Sequence, residues 1–108
     1  MRIDDLIVLL QELETSGKIT NYALDHFSTA QTLPYAAFFQ MDSDPFGADN
    51  IAYYDEPPIC IELYTAKIDF ALMKEIEALI TARGYYYTKL RPAWEPTERY
   101  YMTVFYIS

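Results

Sequence analysis

The chain has 108 residues, which is enough for one domain built around a single core. Sixteen acidic residues against eight basic ones give a net charge of −8, and a surface of that sign repels phosphate and excludes ordinary nucleic-acid binding. A single cysteine excludes an internal disulfide, and three dispersed glycines exclude a glycine-rich phosphate loop, so we expect no cofactor.

The first predicted element is an amphipathic helix, α1, from Ile3 to Ser16. Asp4 and Asp5 favour its positive end, and Gly17 is typical of a helix stop. The apolar positions have helical spacing at Ile3, Leu6, Ile7, Leu10 and Leu13. Polar residues interrupt this stretch, which predicts neither a signal sequence nor a membrane span. We therefore expect the protein to fold in the cytosol.

Strands are predicted next, in "NYALDHF" and "PYAAFFQM". The segment "DSDPFGADN" has turn composition, and "IAYY" with "ICIELYT" predicts one strand interrupted near Pro57 and Pro58, since proline cannot donate to a sheet. The result is a long hairpin between the second and third strands, with an acidic tip. Ile59, Ile61 and Leu63 are expected on one face, and Cys60, Glu62 and Tyr64 on the other.

Helix α2 is predicted after Asp69, a suitable N-cap, and closes at Arg83 and Gly84. "YYYTKLR" and "RYYMTVFYI" predict two aromatic strands joined by the loop "PAWEPTE". The order α-β-β-β-α-β-β over residues 1–108 predicts a single α+β domain, an antiparallel sheet with both helices on one face. The predicted core includes Leu6, Leu10, Ile61, Leu63, Ile76 and Leu79. The other face is expected to expose Tyr22, Tyr64, Tyr86 and Tyr101 as a contact surface.

No arrangement of residues indicates catalysis or metal binding. His26, the one imidazole, has no paired nucleophile, and a structural role is favoured. Asp42, Asp44 and Asp49 resemble a calcium loop in composition, but Pro45 breaks the required spacing. The pairs Glu56 with Glu62 and Glu95 with Glu98 show no sign of split pKa values. We expect a protein that is not an enzyme.

Contacts with partners are predicted at two places. Trp94 lies between Pro92 and Pro96, where its ring either covers the core or meets a partner, and the two alternatives stay open. The hairpin tip is acidic and without lysine or arginine, and we expect it to be mobile until assembly orders it, with Phe46 as an apolar anchor. The predicted interaction residues are Asp42, Asp44, Phe46, Asp49, Asp55, Glu56 and Trp94.

The segment "IELYTAKIDFALMKEIEALI" resembles the small tail-terminator and head-to-tail joining proteins of long-tailed bacteriophages and prophages. Those proteins often show an Ile/Val-x-Leu-Tyr-Thr strand, a Lys-x-Asp turn and a Leu-rich helix. The resemblance extends more loosely to the N-terminal helix, "LPYAAFF", "YYDEPP" and the aromatic C-terminal strand. It covers most of the chain without an invariant catalytic motif.

The resemblance implies an α+β subunit that assembles with itself into a ring, commonly a hexamer. Such a ring stops tube polymerisation, contacts tail-tube and head-connector proteins, and lets DNA pass without specific binding. It implies a virion protein, present in the host cytoplasm before assembly, with no membrane contact. Two alternatives stay open: an acidic inhibitor that mimics DNA, or another small interaction module, and a small enzyme with a carboxylate pair.

Overall fold

The computed structural model describes residues 1–41 and 58–107 and has the predicted α+β class. Two helices accompany a six-stranded sheet that is mostly antiparallel. In chain order the elements are α1 (Ile3–Thr15), β1 (Tyr22–Leu24), β2 (Tyr35–Gln40), β3 (Ile59–Thr65), α2 (Phe70–Ala82), β4 (Tyr87–Lys89), β5 (Ala93–Glu95) and β6 (Tyr100–Ile107). The hairpin tip and "IAYY" lie outside the described residues.

Both helices end where the sequence predicts. Gly17 has φ 77° and Gly84 has φ 81°, a left-handed conformation that glycine adopts without steric cost. At the start of α2, the Asp69 side chain accepts a hydrogen bond of 3.0 Å from the Leu72 backbone N–H. This bond satisfies one of the free N–H groups of the first turn, and Asp69 is confirmed as the N-cap.

The sheet has the strand order β1-β2-β3-β6-β4, and β5 also pairs with β6. Strands β2 and β3 form the base of the predicted hairpin, with Tyr35 opposite Tyr64 and Gln40 opposite Ile59. The prediction of an antiparallel sheet is wrong for β1, which runs parallel to β2. Residues 25–34 carry the chain back along the sheet before β2 begins, so both strands start from the same end.

The loop predicted at "PAWEPTE" is partly wrong, because residues 93–95 form strand β5. Lys89 lies opposite Phe105, whereas Ala93 lies opposite Met102, so the pairing shifts by one residue between β4 and β5. Arg91 and Pro92 therefore share a single opposite residue on β6, which is a β-bulge in an edge strand. Proline has no backbone N–H to donate to a neighbouring strand, and a bulge in an edge strand is a position where that hydrogen bond is not needed.

The core lies between the helices and one face of the sheet. Both helices and strands β2, β3 and β6 supply fully buried side chains, among them Leu6, Leu10, Ile61, Leu63, Ile76 and Phe105. Leu79 packs against this core but is only partly buried, so its predicted place in the core is confirmed only in part. Strand alternation places the remaining side chains on the other face, which neither described helix covers and which is called the helix-free face. It bears Tyr35, Ala37, Phe39, Cys60, Glu62, Tyr64, Tyr100, Met102, Val104 and Tyr106.

Candidate interaction surface

Six of the seven predicted interaction residues, Asp42, Asp44, Phe46, Asp49, Asp55 and Glu56, lie outside the described residues. The seventh, Trp94, lies on β5 instead of in a loop. Its ring neither covers the core nor stands free, since it contacts Tyr101 with ring centroids 4.8 Å apart and planes at 50°. Trp94 keeps 47% of its surface exposed.

Exposed apolar side chains occur along this outer edge of the sheet. The bulge at Arg91 and Pro92 reverses the alternation of faces, and this brings Trp94 to the same face as Tyr101. Leu90, just before the bulge, is 44% exposed, and Tyr86, before β4, is 81% exposed. Leu90 bonds to Val104 on the helix-free face, whereas Trp94 lies on the face of Tyr101, so these side chains are spread over both faces of the edge. Tyr86, Leu90 and Trp94 together are called the edge patch. Exposed apolar side chains along an edge strand are typical of a surface that contacts another chain.

A second surface, the aromatic row, crosses the helix-free face and consists of Phe27, Tyr35, Tyr64 and Tyr100. Tyr35 and Tyr64 are a cross-strand pair with stacked rings 4.8 Å apart. Tyr64 also meets Tyr100 edge to face at 4.9 Å, a diagonal neighbour across β3 and β6. Phe27, from the segment after β1, contacts Tyr35 edge to face at 5.4 Å. The four rings form one continuous line.

The aromatic row walls a cleft of about 380 Å³. Residues 25–30, which follow β1, form one side, and Glu98 and Tyr100 form the other. Asp25 has φ 67°, a left-handed conformation that ends β1 and starts this segment. His26 lines the cleft with its Nδ1 2.7 Å from the Asp25 carboxylate, and both side chains are exposed. The sequence placed His26 inside a strand, and that prediction is wrong because β1 ends at Leu24.

Carboxylates surround the phenol groups of the row. The Tyr64 hydroxyl donates a hydrogen bond of 2.9 Å to Glu62. Burial raises the pKa of Tyr64, and the bond to Glu62 raises it further because it favours the protonated phenol. Burial also raises the pKa of Tyr100, with Glu98, Glu95 and Glu62 adding to the effect. The cleft is therefore a region of negative potential lined by uncharged rings.

The tyrosines predicted on the helix-free face are only partly the ones found there. Tyr64 is confirmed, but Tyr22 packs against the core and contacts Phe38 at 6.4 Å. Tyr101 shares the face of the core residues Phe105 and Ile107 on β6, and Tyr86 precedes β4. Strand alternation alone reveals which tyrosines share a face within one strand. It does not reveal which face the helices cover, and this is why Tyr35 and Tyr100 were missed.

Comparison with known proteins adds no relationship. No protein-family model matches the chain, and no curated protein matches it significantly. The phage resemblance therefore depends on the residues quoted for it. Within residues 1–41 and 58–107, no helix is long and apolar enough to cross a membrane. In the same ranges, no group of three or more histidine, cysteine or acidic side chains is placed to hold a metal ion.

Proposed function

We propose that the chain is a structural virion protein of a long-tailed phage or prophage, a ring subunit that ends tail-tube polymerisation or joins the tail to the head connector. The observation that supports the proposal is the presence of two unlike strand edges that both expose apolar side chains. The edge patch lies along the edge formed by β4 and β5, exposed Leu24 lies on β1 at the opposite edge, and the cleft lies between the two edges on the helix-free face.

Two unlike surfaces are what a ring requires. In a cyclic assembly of more than two copies, each subunit offers one surface to the neighbour ahead and a different one to the neighbour behind. Here the edge patch is a strand edge with exposed apolar side chains, and the opposite edge is the short strand β1, where Leu24 is also exposed. Docking of one edge near the other in the next copy covers both.

The charge of the chain supports the same role. A ring at the tail end surrounds the path of the DNA, and carboxylates along that path let the DNA slide because they repel phosphate. The net charge of −8 supplies those carboxylates in excess. In this proposal DNA passes through without specific binding, the protein is not an enzyme, and it resides in the virion after assembly in the host cytoplasm.

The resemblance adds the partners. The tail tube and the head connector contact the two rims of the ring, and the acidic hairpin residues Asp42, Asp44, Asp49, Asp55 and Glu56, with Phe46, are the proposed rim contacts. Because the hairpin joins β2 to β3 at the end marked by Gln40 and Ile59, it leaves the sheet at the end opposite Tyr35 and Tyr64.

The test uses tail tubes polymerised from the tube protein of the same phage. We expect the purified chain to form rings, to bind one tube end and to stop further elongation, seen by negative-stain electron microscopy and by tube-length distributions. An ovalbumin control of similar acidity leaves elongation unchanged. Tubes that lengthen normally, with no density added at either end, would refute the proposal. A monomer that instead blocks a DNA-binding enzyme would favour the DNA mimic.

A further inference from the structure

We propose that the cleft on the helix-free face binds an arginine side chain presented by a different protein. This inference rests on the proposed function only in treating the helix-free face as a contact surface, and it adds the chemistry of the group that docks there. Three observations carry it: the arrangement of the rings, the sign of the charge and the size of the cleft.

The rings supply flat walls at more than one angle. Tyr64 stacks on Tyr35 with planes at 22°, but its contact with Tyr100 is nearly perpendicular at 71°. Phe27 stands at 84° to Tyr35 on the other side. A planar guanidinium stacks on one ring face while its N–H groups, which lie in its plane, reach polar atoms at the rim. A lysine ammonium has no such plane, so arginine fits this arrangement better.

The charge of the cleft selects a cation. Asp25 and Glu98 line it, Glu62 lies beside it through its bond to Tyr64, and no lysine or arginine is among the lining residues that the structure describes. Burial raises the pKa of Tyr35, and the neighbouring Tyr100 and Glu98 raise it further. The phenol therefore stays neutral at physiological pH. Among the lining residues that the structure describes, Asp25 has His26 as its partner, and Glu98 has no lysine or arginine to pair with. A docked guanidinium supplies a cation for Glu98.

The size of the cleft suits one side chain. Pockets that enclose whole small molecules occupy roughly 300–1,000 Å³, and the cleft, at about 380 Å³, is at the lower end. A second copy of this chain, with its net charge of −8, offers no long-range charge attraction to the cleft, so contact between copies depends on the apolar edges instead. A basic segment of another protein, by contrast, is attracted to the cleft by the negative charge of this chain.

The experiment is a titration of the full-length protein with the peptide acetyl-Gly-Arg-Gly-amide, followed by NMR of its tyrosine rings. We expect the ring signals of Tyr35, Tyr64 and Tyr100 to move together. The peptide with citrulline, which has the same shape without the charge, binds at least about tenfold more weakly. Added salt weakens the binding of the arginine peptide and leaves the binding of the citrulline peptide unchanged.

Two variants with the same change in charge complete the test. Glu98→Gln removes a carboxylate at the cleft and lowers the affinity for the arginine peptide about fivefold. Glu14→Gln removes an exposed carboxylate on α1 and leaves binding unchanged. Equal binding of arginine and citrulline peptides, shifts confined to other tyrosines, or equal effects of the two variants would overturn the inference.

Ring formation is measured separately, so that the two proposals fail independently. We expect Glu98→Gln to keep the molecular mass of the wild-type assembly in light scattering. If this variant instead loses the assembly and the wild-type protein ignores the arginine peptide, the cleft belongs to the contact between copies. That result would overturn the inference and leave the ring proposal standing.

Discussion

The packing of α2 on the sheet is tested by comparing Ile76→Ala with Leu79→Ala. Ile76 is fully buried in the core. The change removes three buried carbon atoms, and because the burial of each stabilises the fold by about 0.8 kcal/mol, this loss alone is about 2.4 kcal/mol. A cavity that the rigid sheet below does not close adds up to about 2 kcal/mol. We therefore expect Ile76→Ala to lower the free energy of unfolding by about 2.5–4.5 kcal/mol.

Leu79 loses the same three carbon atoms but is only partly buried, at the margin of the core. Its removal leaves an indentation open to water in place of a closed cavity, and we expect a loss of about 1 kcal/mol. Urea denaturation followed by far-ultraviolet circular dichroism measures both values on proteins of equal helix content. Equal losses at the two positions, or a larger loss at Leu79, would show that α2 does not pack in the described orientation.

Three further predictions concern single residues. Asp69→Ala removes the N-cap bond to Leu72 and is expected to lower the free energy of unfolding by about 1 kcal/mol. Asp69→Asn keeps a side-chain oxygen that can accept this bond, so it is expected to keep most of the stability. Equal losses for the two variants in urea denaturation would contradict the role of Asp69 as the N-cap. In Gly84→Ala the added methyl group meets no neighbouring atom within 4 Å, so the expected loss of about 1–2 kcal/mol in the free energy of unfolding comes only from the φ of 81°. An unchanged or increased free energy of unfolding would contradict this left-handed conformation. Burial, followed by the charge of Glu62, raises the pKa of Cys60 from 9.0 to about 12. Because only the thiolate reacts, iodoacetamide near neutral pH should modify the native thiol about a thousandfold more slowly than the unfolded one, and comparable rates would contradict its burial.

The parts of the fold that local sequence signals control were predicted well. The stops at Gly17 and Gly84 and the cap at Asp69 depend on the preferences of single residues, and each is confirmed. The parts that depend on distant pairing were not. Strand β5 exists because residues 93–95 pair with β6 beyond a bulge, while their own composition is typical of a loop. The direction of β1 depends on the path of residues 25–34, and no periodicity records it.

The candidate site was predicted less well for a related reason. Trp94 is a predicted contact residue because of its proline-flanked position; it is 47% exposed, and its contact with a partner stays a prediction. The aromatic row was not identified as a unit, since its members come from the segment after β1 and from three strands. Their proximity depends on strand order and register, which a single sequence does not contain.

The central claim, that copies of the chain join through the edge patch into a ring, is tested most directly by the molecular mass from size-exclusion chromatography with multi-angle light scattering. Trp94→Glu and Val8→Glu are a matched pair, since the two side chains are 47% and 48% exposed and both changes add one negative charge. Val8 lies on α1 and is not part of the edge patch. We expect the wild-type protein and Val8→Glu to elute as a ring, commonly of six times the 12.6 kDa chain mass, and Trp94→Glu to elute as a monomer. A wild-type protein that is monomeric at every concentration, or a Trp94→Glu variant that assembles as fully as Val8→Glu, would contradict the claim.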